Sequence, residues 1–378
     1  MRNPFAILQS VKYHPPNIML KYFSGSLIFS IGSIALASLL GYLTDHSLLG
    51  AMKFGWIALV LGIMEASLSL DNAVVNASIL RNMTPQWRKL FLTLGMAIAV
   101  FGMRVVFPLL IVAIAGKVGP IEAIQIAVNN PKQYEQIITN AHVSISGFGG
   151  AFLLLVGLHY FFDPDKEVHW FKPVESLFSV MSKIPVLPYV CTAVIVGALG
   201  LLLSHERNTF LLASLFGAIA YFAVKFVGDK LEVPDAAQQN ASKAGLGAFL
   251  YLELLDASFS FDGVIGAFAL SNNIFLIALG LGIGAMFVRS MTIYLVDKDT
   301  LGEFRFLEHG AFWAITVLGL IMITSPLVNV PEAITGLVGA VLIGSALYAS
   351  VLYNRAHPEE VEDGAVVLPS GNYIPDPD

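Results

Sequence analysis

The chain has 378 residues, of which 56% are apolar and only 13% charged, and its mean hydropathy is +0.74. A soluble globular protein carries about 25% charged residues, so a water-soluble enzyme or binding module is excluded. The net charge of −6, without a basic cluster, speaks against nucleic-acid binding, and the single Cys191 excludes a disulfide framework and a thiolate metal cage.

Taken in order, ten apolar runs have the length and composition of membrane-crossing helices: 26–43, 53–80, 89–116, 146–162, 186–204, 209–227, 243–270, 274–297, 311–327 and 331–353. The polar start is too long for the leading part of a signal peptide, so the first run is expected to be a retained span. The second and seventh runs are long enough to tilt or to be interrupted. The stretch from Lys117 to His142 reads as a loop with an amphipathic helix, 163–185 as a second long polar loop, and the tail from Arg355 as disordered. Period-2 segments of an outer-membrane barrel are absent.

Charge sets the expected orientation. Of the 21 Lys and Arg, Arg104 and Arg289 fall inside runs. With the N-terminus in the cytoplasm, only Lys53, Lys117, Lys132 and Arg207 fall outside, and the remaining fifteen lie inside. This predicts a bacterial cytoplasmic (inner) membrane protein with both termini cytoplasmic.

Two octets interrupt the apolar pattern. "EASLSLDN" from Glu65 and "DASFSFDG" from Asp256 align without a gap. Ala66/Ala257, Ser67/Ser258, Ser69/Ser260 and Asp71/Asp262 are identical, and Glu65/Asp256 keep the charge. Arg104 and Arg289, then "GGAF" from Gly149 and "HGAF" from His309, follow in the same order. The octets sit five crossings apart, so the copies run in opposite directions. The expected fold is an all-α polytopic membrane bundle of about ten helices, arranged as a 5+5 inverted repeat. Its parts are an N-terminal segment (1–25), a first repeat (26–204), a second repeat (209–353) and a tail (355–378).

Inside the runs lie Glu65, Asp71, Glu253, Asp256 and Asp262 with Arg104 and Arg289. Each would cost about 2.5–3.5 kcal/mol facing lipid, so they must pair, face the interior or bind something. The excess of acid asks for protons or a cation. Asp71–Arg104 and Asp262–Arg289 are the expected pairs, with Glu253 a further charge-pairing or gating candidate. At 100° per residue, Glu65 and Asp71 point about 120° apart on one straight helix. Either the helix opens near Ser69 or the two carboxylates line different walls. Gly263 and Gly266 offer the second copy a place to open.

The expected metal donors are Asp71, Asp262, Glu65, Asp256, Asn72, Ser67, Ser69, Ser258 and Ser260. They are all hard oxygen ligands, which suit Mg²⁺, Ca²⁺ or Mn²⁺. The Gly-rich run "LGLGIG" from Leu279 reads as a small-residue helix interface, not a phosphate loop. No hydrolase or metalloprotease motif is present, so no enzyme and no organic cofactor are expected.

"EASLSLDN" resembles the Glu-x-Ser-Leu-Ser-x-Asp-Asn signature of the TerC-like tellurium-resistance membrane proteins. With the second octet and "EHGAFWAI" from Glu308, the chain is most similar to the sister family known as domain of unknown function 475, over roughly residues 25–355. The resemblance implies a small-solute exporter, with Mn²⁺ export or tellurite resistance as the associated activities. Carried over, the acidic motif falls on Glu65, Asp71 and Asn72, and Asp256 and Asp262 match it in the second copy, where Gly263 replaces the Asn. The expected function is export of a divalent cation, Mn²⁺ first and Ca²⁺ or Mg²⁺ as alternatives, by alternating access with proton exchange. The alternative is a non-transporting metal sensor or scaffold in a stress-response complex. The expected partners are the cation and the lipid bilayer; the sequence leaves the oligomeric state open.

Overall fold

The computed structural model describes residues 16–95, 97–164, 166, 168–231, 241–268, 270–298, 300–328 and 330–357. Most of the expected N-terminal segment and tail lies outside these residues. Among the described residues the chain is helical throughout, without strands.

Helices α1 (Pro16–Asp45) and α2 (Leu48–Leu68) form the first hairpin, and Ser47 caps α2 by accepting from the Gly50 N–H at 3.0 Å. Helix α3 (Leu70–Leu80) follows directly. Helix α4 (Pro85–Leu90) leads into two π-helical segments, Phe91–Gly95 and Ile98–Val106, and then α5 (Phe107–Ala115). The expected loop after Lys117 folds as α6 (Pro120–Asn129) and α7 (Pro131–Asn140). Each opens on a proline, whose missing N–H costs nothing in a first turn. Next come α8 (His142–Phe161), the short α9 (Lys172–Met181) in the second polar loop, α10 (Leu187–Leu202) and α11 (Arg207–Leu231). The second half holds α12 (Ala241–Ala267), α13 (Ile274–Asp297), the single turn α14 (Thr300–Glu303), α15 (Leu307–Thr324) and α16 (Glu332–Ala356).

Eight helices among the described residues are long and apolar enough to cross a membrane. Two of the ten expected spans differ. Helix α10 has only 16 residues, about 24 Å at 1.5 Å per residue, against a hydrocarbon core of about 30 Å. Helix α12 has the length, 27 residues, but Glu253, Asp256 and Asp262 interrupt its apolar run.

Helices α8, α13 and α15 are mostly buried inside protein, whereas α1, α11 and α16 expose most of their length. Ile28 and Ile31 of α1, Leu212 and Phe216 of α11, and Leu337 and Val341 of α16 all face outward. An apolar exterior on this scale marks a surface built for lipid. The centre is assembled from small residues. A Cβ on Gly62 would sit 2.6 Å from Ile283, and one on Gly280 would sit 2.6 Å from Leu61. Gly280 and Gly284, four residues apart, let α13 press against α2 backbone to backbone, as the glycine-rich run predicts. Gly149 and Gly150 do the same for α8 against α15, meeting Met322 and Ile323.

A candidate cation site between the two octets

The first octet bends the chain. Ser69 leaves the helical region, at φ −101° and ψ 23°, and separates α2 from α3. The distortion is a one-residue kink, not an unwound stretch. The Ser69 N–H still donates to the Glu65 carbonyl at 3.0 Å, and the Ala73 N–H to the Ser69 carbonyl at 3.3 Å. The second octet does not bend: α12 runs unbroken through Gly263 and Gly266, so neither glycine opens the helix.

Gly263 serves a different purpose. A Cβ there would stand 2.5 Å from Glu65 Oε2. The position where the second octet departs from Asn therefore makes room for the carboxylate of the first. Gly284 of α13 is pressed equally close to the Glu65 stem. The two octets meet face to face around Glu65.

At this meeting lies a partly open cavity of about 40 Å³. Its polar lining is Glu65, Ser69, Asp71 and Asn72, and Thr335 of α16 joins them. Phe259 and Gly263 close it from the second octet, Leu318 and Ile321 from α15, and Gly336 and Gly339 from α16. A water molecule needs at least about 10–15 Å³ measured this way, so the space suits one ion with a few waters at most.

The kink is what lets Glu65 and Asp71 line one cavity despite their angular separation. Both side chains are buried, as are Ser69 and Asn72. Arg104 donates through Nη2 to Glu65 Oε1 and through Nη1 to the Ala99 carbonyl, and its Nε has no partner. Ser69 Oγ donates to the same Glu65 oxygen at 3.2 Å. Asp71 Oδ1 accepts the Asn72 N–H, at 3.0 Å. The Asn72 amide oxygen is buried without a partner, and so is that of Asn76 one turn later. Buried polar atoms left unpaired are uncommon and ask for a reason.

The structure rearranges the expected pairs. Arg104 holds Glu65, not Asp71. Its span is π-helical around it, so residues there do not fall at the 100° spacing on which the expected pairing rested. Arg289 donates through Nε to the Leu92 carbonyl at 3.0 Å. The side chain of Asp262 lies outside the described residues, and with it the Asp262–Arg289 pair.

Of the remaining expected donors, Ser67 is exposed and gives its hydroxyl to the Ile63 carbonyl at 2.7 Å, away from the cavity. Ser258 is buried and donates to the Leu254 carbonyl at 2.9 Å. Ser260 and Asp256 are buried outside the cavity lining, Asp256 within electrostatic reach of Arg104 and Glu65. Glu253 is buried with both oxygens unpartnered, and Gly95 makes room for it. Among the described residues no group of three His, Cys, Asp or Glu side chains converges. The cavity is thus a site of two carboxylates completed by amide and hydroxyl oxygen.

Sequence reasoning missed the α16 wall. Gly336 and Gly339 repeat at helical spacing in an apolar span, and that small-residue stripe was the available signal.

The curated "Uncharacterized membrane protein YceF" of Bacillus subtilis (strain 168) is 29% identical over 142 residues, 35% of this chain and 53% of that protein. The aligned part is therefore about half the length of that relative. No solved structure matches the chain. The family described as "Protein of unknown function (DUF475)" matches residues 70–357, a region that takes in Asp71, Asn72 and the whole second octet while Glu65 lies just before it. The chain is a multi-pass helical membrane protein that belongs to the DUF475 family.

Proposed function

We propose that the protein is a secondary transporter that exports a divalent metal cation, Mn²⁺ first, by alternating access. The observation that carries this reading is the small cavity in which Glu65, Asp71 and the unpartnered Asn72 amide oxygen converge between the two octets. Two buried carboxylates face one guanidinium, so one positive charge is wanting. The donors are hard oxygens, the preference of Mn²⁺, Mg²⁺ and Ca²⁺. A carboxylate binds metal deprotonated, so exchange against protons is the natural coupling.

The packing supports an inverted repeat in part. The central partners α3 and α12, the π-helical segment with α13, and α8 with α15 all touch, as the 5+5 scheme requires of equivalent spans. The outer helices are less symmetric: α1 packs on α13, and α11 packs on α8. A cation between repeats, near the midplane, is the arrangement of many secondary transporters. On the ten-span topology, the excess of Lys and Arg on one side supports cytoplasmic termini.

The test is flux of Mn²⁺, Mg²⁺ and Ca²⁺ into liposomes carrying the purified protein, with and without a pH gradient. Saturable Mn²⁺ flux that responds to the gradient is expected. Tight Mn²⁺ binding without flux would instead make the protein a sensor or scaffold, and equal leak of all three ions would sink the site assignment.

A further inference from the structure

A second cavity, of about 330 Å³, lies on the same α3–α15 interface as the first. It is lined by Ser78 and Asn82 at the C-terminal end of α3, Glu308 and Phe312 at the start of α15, and Gly245 and Ala248 of α12. The two helices pass both cavities in opposite order. Helix α3 runs from Asp71 in the first to Ser78 in the second, about 10 Å at 1.5 Å per residue. Helix α15 runs from Glu308 in the second to Ile321 in the first. Asp71 and Ser78, at i and i+7, fall on one stripe of α3, and Asn82 stands in the turn just beyond the helix end.

The interval between the cavities is apolar. Val74, Val75, Ala311, Phe312 and Ile315 are all buried in one hydrophobic cluster. Phe312 is held in place by a stack on Tyr160, ring centres 3.8 Å apart, and the Tyr160 hydroxyl meets His309 Nδ1 at 3.2 Å. The outer cavity, by contrast, mixes apolar walls with the polar side chains of Ser78, Asn82, Thr84 and Glu308. Glu308 Oε2 accepts from Arg81 Nη2 at 3.3 Å, with both side chains less than one-fifth exposed, and Asn82 reaches the surface. The carboxylate is thus built into a partly desolvated recess, held by a cation from the protein itself. A divalent ion of the kind that suits the inner cavity would compete with Arg81 for it.

We infer that this recess is an outer cation station, in which Glu308 with the Ser78 and Asn82 oxygens takes the divalent ion before or after the inner cavity, and that the Val74–Val75–Phe312 collar is the closed gate between them. This rests on the transport reading above and adds where the ion waits and what stops it. Arg81 occupies Glu308 when the station is empty.

Cysteine accessibility tests it without a flux measurement. In a Cys191→Ala background, Ala248→Cys reports on the station and Val317→Cys on the inner cavity. A small charged methanethiosulfonate should label Ala248→Cys and leave Val317→Cys untouched. Mn²⁺ at about ten times its Kd should slow labelling of Ala248→Cys about tenfold. Glu308→Gln should abolish that protection while leaving the labelling itself intact, and Phe312→Ala should open Val317→Cys to the reagent. If Val317→Cys does not fold, Leu318→Cys serves in its place. Protection that survives Glu308→Gln overturns the station, and labelling of the inner reporter with Phe312 intact overturns the gate. Protection at Ala248→Cys without any Mn²⁺ flux in liposomes would overturn the transport reading alone.

Discussion

Two buried carboxylates in this protein live under opposite conditions. Glu175 opens α9 in the second polar loop. Its Oε2 accepts from Lys166 Nζ at 3.0 Å and the Trp170 N–H at 3.1 Å, and its Oε1 from Trp313 Nε1 at 3.0 Å and the Phe171 N–H at 3.2 Å. His309 Nε2 stands 3.7 Å away, and Lys166 lies over the rings of Tyr160 and Phe161. Asp71, buried to a similar depth, accepts from the neighbouring Asn72 N–H, and among the described residues no side chain donates to it. A carboxylate with every lone pair answered locks the strand of chain around it. One left underpartnered is costly and asks for a reason, of which a ligand that supplies what the protein withholds is one. The contrast marks Glu175 as a structural acid and leaves Asp71 as a candidate for function.

Crossed substitutions give the largest effects and the clearest way to break this comparison. Asp71→Asn should cut Mn²⁺ flux by at least about a hundredfold, beyond what loss of an outer partner of a metal ligand costs. Its melting temperature in detergent should hold or rise, because an underpartnered buried charge is gone. Glu175→Gln should do the reverse. It leaves Lys166 buried without its counter-charge, a change that costs about 3–5 kcal/mol, and the melting temperature should fall sharply. Flux per folded molecule should stay near that of the wild type. If Asp71→Asn unfolds the protein as badly as Glu175→Gln, the distinction between the two acids fails.

The octets and their alignment were legible in the sequence because charge in an apolar run is rare enough to stand out. A bend near Ser69 was legible as one of two alternatives, since an ideal helix aims Glu65 and Asp71 apart and the carboxylates could also have lined different walls. The partner of Arg104 was not, because a π-helical span abandons the 100° spacing that such an inference uses. The part played by Gly263 was hidden as well. In the sequence it reads as a place for the second helix to open and as the position where the motif's Asn is missing; the structure sets Glu65 against it. Glu175 carried no periodic signal at all, because its donors come from a loop, two backbone amides and a helix 138 residues away.

Acidity offers a smaller and graded test of the same comparison. Burial by itself would raise the Glu175 value. The Trp313 hydrogen bond and the Lys166 and His309 charges overcome it, so Glu175 titrates below its ordinary 4.5. A carboxyl lowered by folding stabilises the fold above its unfolded-state value, and that stability is lost as pH falls through the folded-state value. The melting temperature should therefore drop as pH goes below about 4.5, and Glu175→Gln should flatten that drop. Lys166 acts at the other end. Burial lowers its value despite the attraction of Glu175, so its share of stability grows only as pH climbs towards the ordinary lysine value. A melting curve in acid that is the same in wild type and Glu175→Gln would remove Glu175 from this account.

The smallest predicted effect sharpens the site most, because it compares two serines of one octet that the sequence treats alike. Ser69 lines the cavity and donates to Glu65 Oε1 at 3.2 Å, whereas Ser67 is exposed and bonds back to the Ile63 carbonyl. Losing a hydrogen bond to a charged group costs about 1.5–3 kcal/mol. The Ser69 bond is long, so its loss should fall at the low end of that range, and Ser69→Ala should raise the KM for Mn²⁺ about tenfold. The maximal rate should change less, since Glu65 keeps Arg104. Ser67→Ala removes a bond on the exposed side of the helix and should leave flux unchanged and stability within about 0.5 kcal/mol. Equal effects of the two substitutions would mean that the kink at Ser69 does not set which face of the octet meets the ion.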